Sequence, residues 1–145
     1  MQGVALGVLL ALGFVTVASA QSFDDVRWQY RPLLVFAPPG SEARVRQLDL
    51  LTADEALVRD LRLAVYLIEP RRIEARLGAP KIGTDAATLR RRFGVPAGAF
   101  RAVLVGLDGS AKLTAREPIA LERLEATINA MPMRRRELRQ RSPAG

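Results

Sequence analysis

Apolar and polar positions sort this chain into short blocks. Leu33-Leu34-Val35-Phe36-Ala37 is an unbroken apolar run between Pro32 and Pro38, and Leu63-Ala64-Val65-Tyr66-Leu67-Ile68 is another, closed by Glu69-Pro70. Runs this short and without polar alternation predict strands covered on both faces. Residues 100–107 predict a third strand, Asp108-Gly109 a tight hairpin turn, and residues 110–116 the returning strand. Helical signals fill the intervals. Ser41 is placed to cap a helix on which Val45, Leu48 and Leu51 recur at helical spacing, and Glu42 suits its positive end. Thr52-Ala53-Asp54-Glu55 predicts a cap for a second short helix through Leu57. Thr84-Asp85 opens a third, with Leu89 and Phe93 inward and Gly94 as its stop. A last helix over about residues 120–130 offers Ile119, Leu121, Leu124 and Ile128 for burial. Residues 23–30 read as an extended lead-in whose Val26, Trp28 and Tyr30 cover a core edge. Residues 71–83, broken by Gly78, Pro80 and Gly83, read as a connection, and residues 131–145 as a basic tail.

The predicted order is β-α-β-α-β-β-α. Two strands joined by a helix are expected parallel with a right-handed crossover, and the last two antiparallel. The expected fold class is α/β: a thioredoxin-like three-layer sandwich on a four-stranded mixed sheet.

The first twenty residues carry no charged side chain. Residues 4–17 are largely apolar, and Ala18-Ser19-Ala20 gives the small-x-small pattern of a signal-peptidase site. The run is shorter than the ~20 apolar residues of a transmembrane helix. The expectation is a signal peptide over residues 1–20 cleaved after Ala20, a domain over 21–139, a disordered basic tail over 140–145, and a periplasmic or secreted location.

Composition narrows the chemistry. The chain of 145 residues has no Cys and no His. Absence of Cys excludes disulfides and thiol–disulfide exchange, and absence of His removes the commonest general base. The formal net charge is +7, and every cation but Lys81 and Lys112 is Arg. The cations are scattered from Arg27 to Arg141 among acids, as on a solvated surface. The one cluster is Arg134-Arg135-Arg136 with Arg139 and Arg141, which suits weak contact with an anionic membrane surface. No base-stacking motif appears, and nucleic acid is not an expected partner.

Four segments carry a resemblance: Trp28-x-x-Arg31-x-Leu33-Leu34-Val35-Phe36-Ala37-Pro38; Arg59-Asp60-Leu61; Leu104-Val105-Gly106-x-Asp108-Gly109-x-x-Lys112-Leu113; and Met131-Pro132-Met133-Arg134. Together they resemble a bacterial domain family of unknown function in the P-DUDES group, which is related to domains of animal extracellular sushi-repeat proteins and considered thioredoxin-like. The resemblance spans about residues 23–139 and departs at Leu107, where the family often has Lys. It implies the fold and no catalytic residue. It also sharpens a negative. Where thioredoxins carry their redox pair this chain reads Pro38-Pro39-Gly40-Ser41, and no proline stands immediately before Phe100-Arg101, where theirs is cis.

Candidate chemistry is thin. Gly40 and Ser41 at a helix start, with Arg44 one turn on and Phe100 and Arg101 at the same sheet edge, make a candidate anion site beyond the carboxyl ends of the strands. Ser110 and Lys112 share a strand face, the minimum for a Ser–Lys dyad, which requires a desolvated Lys. Asp24-Asp25, Asp54-Glu55 and Asp108 lack calcium-loop spacing, so no metal and no cofactor is expected. The expectation is an exported, non-redox binding module, not an enzyme, whose partner is an envelope protein or a small anion. The alternatives are a peripheral envelope protein holding anionic surfaces by its Arg-rich C-terminus, and an enzyme independent of His and Cys.

Overall fold

The computed structural model describes Gly3 and residues 21–142. The expected leader with its cleavage after Ala20, and residues 143–145, lie outside the described residues apart from Gly3. After a 3-10 turn at Phe23–Val26 come β1 (Arg31–Phe36), α1 (Glu42–Thr52), α2 (Glu55–Asp60), β2 (Leu63–Ile68), β3 (Ile73–Arg76), α3 (Ala86–Phe93), β4 (Arg101–Val105), β5 (Ala111–Ala115), α4 (Leu121–Asn129) and α5 (Pro132–Arg141).

The sheet order is β3-β2-β1-β4-β5. β1 and β2 are parallel, with Arg31 opposite Leu63, while β4 runs antiparallel to β1, with Phe36 opposite Arg101. The continuous apolar runs are explained by the two faces. Leu33 and Val35 go to one side with Leu51, Val58, Leu61, Leu124 and Ile128. Leu34 and Phe36 go to the other with Phe23, Val26, Leu89 and Val95. Successive strand residues point oppositely, so a strand buried on both faces is apolar at every position. α1, α2 and α4 cover the first face, α3 and the 3-10 turn the second, and no helix among the described residues is long and apolar enough to cross a membrane.

The expected helix starts are capped as read: Ser41, Asp54 and Asp85 each accept the backbone N–H three residues on. Several expectations are corrected. The sheet has five strands, not four: Ile73–Arg76 pairs antiparallel with β2. An edge strand half open to water needs no apolar run, and Ile-Glu-Ala-Arg has none. Residues 23–30 are not extended. The chain turns at Trp28, which takes φ +70° and stands 58% exposed, while Phe23 and Val26 fill the core edge. On α1 Val45 is exposed and Gln47 is buried, its amide bound to Ile119. The expected tail is the helix α5, with Pro132 in its first turn, where a missing N–H is harmless. Gln140 and Arg141 belong to that helix, not to a disordered end.

Candidate functional site

The structure brings Gly40, Ser41 and Arg44 to the end of β1 and sets Arg101 opposite Phe36 there. What it builds at that edge is structural. The Ser41 hydroxyl oxygen accepts the Arg44 backbone N–H at 3.2 Å. The Arg44 guanidinium turns to Glu69 at 3.0 Å and Glu74 at 3.4 Å. Gly40 takes a left-handed φ in the turn before α1, and Phe100 packs against the core. The cleft beside Pro38 and Ala99 holds about 10 Å³, room for no more than one water. An anion there would compete with two carboxylates for Arg44.

The opposite end of the sheet is open. A cavity of about 460 Å³ lies between the β4–β5 hairpin and the α4–α5 junction, walled by Leu107, Asp108, Lys112, Met131, Pro132, Met133 and Arg31. Pockets of this size accept one small ligand. Each wall has a local cause. Gly109 permits the turn at φ +84°, and its N–H closes on the Gly106 carbonyl at 3.0 Å. At Gly106 a Cβ would lie 2.6 Å from Cε of Lys112 and 3.0 Å from Oδ1 of Asp108, so the bare backbone lets the lysine stem cross it. The Met131-Pro132-Met133 corner exists because α4 stops at Ala130 and α5 restarts at Pro132.

α5 is held there by charge. Arg31, wholly closed to solvent, donates from Nη1 to the Leu61 carbonyl at 3.0 Å and from Nη2 to Glu137 at 2.9 Å. Arg134, 3% exposed, donates to Glu137 at 3.2 Å, to the Asp60 carboxylate at 2.5 Å, to the Asp60 carbonyl at 3.1 Å and to Asn129 at 3.1 Å. Arg141 donates to the other Asp60 oxygen. Burial alone would raise Glu137, but hydrogen bonds from Arg31 and Arg134 hold it below the usual carboxylate range. Hydrogen bonds from Arg134 and Arg141 do the same for Asp60. Burial opposes the charged form of Arg134, and its two acids more than restore it. Arg134 and Arg141 are therefore spent on the fold, leaving Arg135, Arg136 and Arg139 exposed in the cluster read from the sequence.

Two strained residues flank the same end. Trp28 at φ +70° donates its backbone N–H to the Leu107 carbonyl at 2.9 Å, and Arg62 at φ +53° accepts the Arg31 N–H at 2.8 Å. Left-handed backbone costs an ordinary residue about 1–2 kcal/mol, and such strain gathers at functional sites.

The Ser–Lys dyad is not assembled. The Ser110 hydroxyl donates to Asp108 at 2.8 Å, and Lys112 Nζ donates to the other Asp108 oxygen at 3.0 Å, both exposed. Bonds from the Ser110 backbone and hydroxyl, then from Lys112, pull Asp108 down to about 2. Other acids are used within the fold: Asp24 pairs with Arg27 and with the distant Arg92, Asp25 accepts the Ser22 N–H, and Asp54 caps α2. Among the described residues no three acids gather as a metal site.

Every segment that carried the resemblance meets here: Arg31, Asp60, the Gly106–Lys112 hairpin and Met131–Arg134. From the sequence, Asp108 reads as a turn residue, Lys112 as half of a candidate dyad and Arg134 as part of a basic surface cluster, and nothing brings them together with Arg31 and Asp60. The signal available was the motifs themselves, since Arg31, Asp60, Asp108, Lys112 and Arg134 are polar residues of the segments that carry the resemblance. The chain matches the domain of unknown function DUF4174 over residues 22–137. It belongs to that family. Among curated proteins none matches it.

Proposed function

We propose that this DUF4174 domain is an exported, thioredoxin-like binding module of the P-DUDES group, acting by recognition at the hairpin–α5 cavity. The strands β2-β1-β4-β5 support the thioredoxin-like reading: β1 and β2 are parallel, β4 and β5 antiparallel to their neighbours, and β3 is an addition outside β2. Thiol–disulfide exchange is closed to a chain without Cys. Export is supported by the uncharged first twenty residues ending in Ala18-Ser19-Ala20.

The observation that carries the binding reading is the 460 Å³ cavity itself, built from Met, Leu and Pro side chains beside an ion-paired lysine. Met131 and Met133 both stand in the cavity wall, so labelled methionine methyl groups give two probes there. Titration with small amphipathic fragments is expected to shift the Met131 and Met133 signals. Fragments that move neither wall methyl, or measurable turnover of a generic ester, would overturn the reading. Export is checked separately by fusing residues 1–20 to a phosphatase that is active only outside the cytoplasm. A silent fusion removes that part of the proposal.

A further inference from the structure

We propose that the cavity takes a small uncharged aromatic molecule bearing a hydroxyl group, with the ring against Met131, Pro132 and Met133 and the hydroxyl on the polar part of the wall, Lys112 and Thr127. This names the ligand class of the binding reading above and rests on it. It follows from the charge balance of the wall. Arg31, wholly closed to solvent, is met by Glu137 at 2.9 Å, and Lys112 by Asp108 at 3.0 Å. Each cation thus has its own acid. A charged ligand of either sign gives up hydration beside an apolar wall and finds no unmet opposite charge there. An uncharged ligand gives up far less.

The polar part of the wall keeps both kinds of hydrogen-bonding capacity. Lys112 has three N–H bonds and one protein partner, so it can donate further. The Thr127 hydroxyl spends its proton on the Arg123 carbonyl at 2.8 Å, and its oxygen keeps lone pairs with which to accept. A ligand hydroxyl donates and accepts, so it matches either side chain without carrying charge. The apolar part sets the body. Met131 and Met133 stand either side of Pro132 in the wall. Thioethers adapt their rotamers to an irregular occupant and gain from contact with an aromatic ring, so a ring is favoured over a saturated body of the same size. About 460 Å³ has room for one substituted ring.

A series of one shape separates these claims: para-methylbenzyl alcohol, para-methylbenzoate, para-methylbenzylammonium and para-xylene. Each is titrated into the full chain at neutral pH, followed by calorimetry and by the methyl signals of Met131 and Met133. The alcohol is expected to saturate at one per chain, to shift both methyl signals by ring current, and to bind about fivefold or more tighter than either ion, with the xylene weaker than the alcohol. The charge balance is tested by upsetting it from each side. Lys112→Gln leaves Asp108 unmatched and is expected to strengthen the ammonium about threefold while the alcohol changes less than about twofold. Asp108→Asn leaves Lys112 unmatched and is expected to do the same for the benzoate. Met133→Ala is expected to weaken the alcohol about fivefold or more. Either ion binding the parent chain as tightly as the alcohol, the xylene matching the alcohol, or both ions indifferent to both charge variants overturns the uncharged hydroxylated ligand while leaving the cavity as a binding site. Silence from all four, or alcohol binding that Met133→Ala leaves untouched, overturns the ligand class and the cavity together.

Discussion

Arg31 and Glu137 lie 106 positions apart in sequence and meet at 2.9 Å, one at the first residue of β1 and the other within α5. The contact is nearly closed to water, at 0% and 12% side-chain exposure. It locks the last helix to the centre of the sheet and so fixes one wall of the cavity. Removing one member of a buried pair leaves its partner's charge unmet, at about 3–5 kcal/mol. Glu137→Ala is therefore expected to lower stability by about 3 kcal/mol in urea unfolding. Replacing both members, Arg31→Met with Glu137→Leu, is expected to recover part of the loss. A Glu137→Ala variant as stable as the parent would mean that α5 is held by something else.

The same network sets the acid limit. Glu137 and Asp60 are both held below their ordinary values of 4.5 and 3.8. In that range the unfolded chain binds more protons than the native one, so stability rises with pH there and falls as pH drops through the lowered values. The contribution is fully present above about pH 5 and is lost progressively below about 4. With no His in the chain, no side chain of ordinary pKa titrates between about pH 5.5 and 8. Urea midpoints are expected to be flat across that interval and to fall steeply on acidification, and the fall is expected to be shallower in an Asp60→Asn, Glu137→Gln double variant. An equally steep fall in the double variant would place the acid-sensitive contacts elsewhere.

Which parts were legible follows from how each is held. β1 and β2 could be read because strands covered on both faces must be apolar throughout. The α1, α2 and α3 starts could be read because Ser41, Asp54 and Asp85 cap through their own neighbours. β3 and α5 could not. Ile73–Arg76 is held by backbone pairing at a half-wet edge, and α5 by Arg134 reaching Asp60, 74 positions away. Neither leaves a periodic trace, because hydropathy counts a buried, paired Arg as a surface residue. The candidate anion site was read from a positional rule and not from local contacts. The rule that ligands gather beyond the carboxyl ends of parallel strands pointed to Ser41 and Arg44. Nothing local there reveals that Glu69 and Glu74 take up that guanidinium.

Gln47 is a second long-range lock. Its side chain is fully buried, Nε2 donates to the Ile119 carbonyl at 2.9 Å, and Oε1 accepts the Ile119 N–H at 2.7 Å. One amide thus satisfies both backbone groups of a residue in the β5–α4 loop. Gln47→Leu keeps the size and leaves a buried N–H and C=O unpaired, each worth about 1–3 kcal/mol. The expected loss is about 3 kcal/mol, with α4 exchanging its amide protons faster than the sheet does. A loss under about 1 kcal/mol would show that water or a shifted loop replaces the amide.

Trp28 gives the last test. Its ring is 58% exposed, yet its backbone holds φ +70°, a region where a side chain is unfavourable and Gly is not. Large aromatic residues removed from a core cost about 3–5 kcal/mol. Here the balance runs the other way. Trp28→Gly relieves about 1 kcal/mol of backbone strain and gives up little burial, though the freer unfolded chain offsets part of that gain. The thermal midpoint is expected to hold or rise slightly, and the N–H to Leu107 bond remains available to Gly. A ring that strains the backbone and adds little to stability is then free for contact beyond the fold, on a residue whose backbone meets Leu107 of the cavity wall. If Trp28→Gly instead lost more than about 1 kcal/mol, the ring would be a packing residue and its position beside Leu107 would carry no functional meaning.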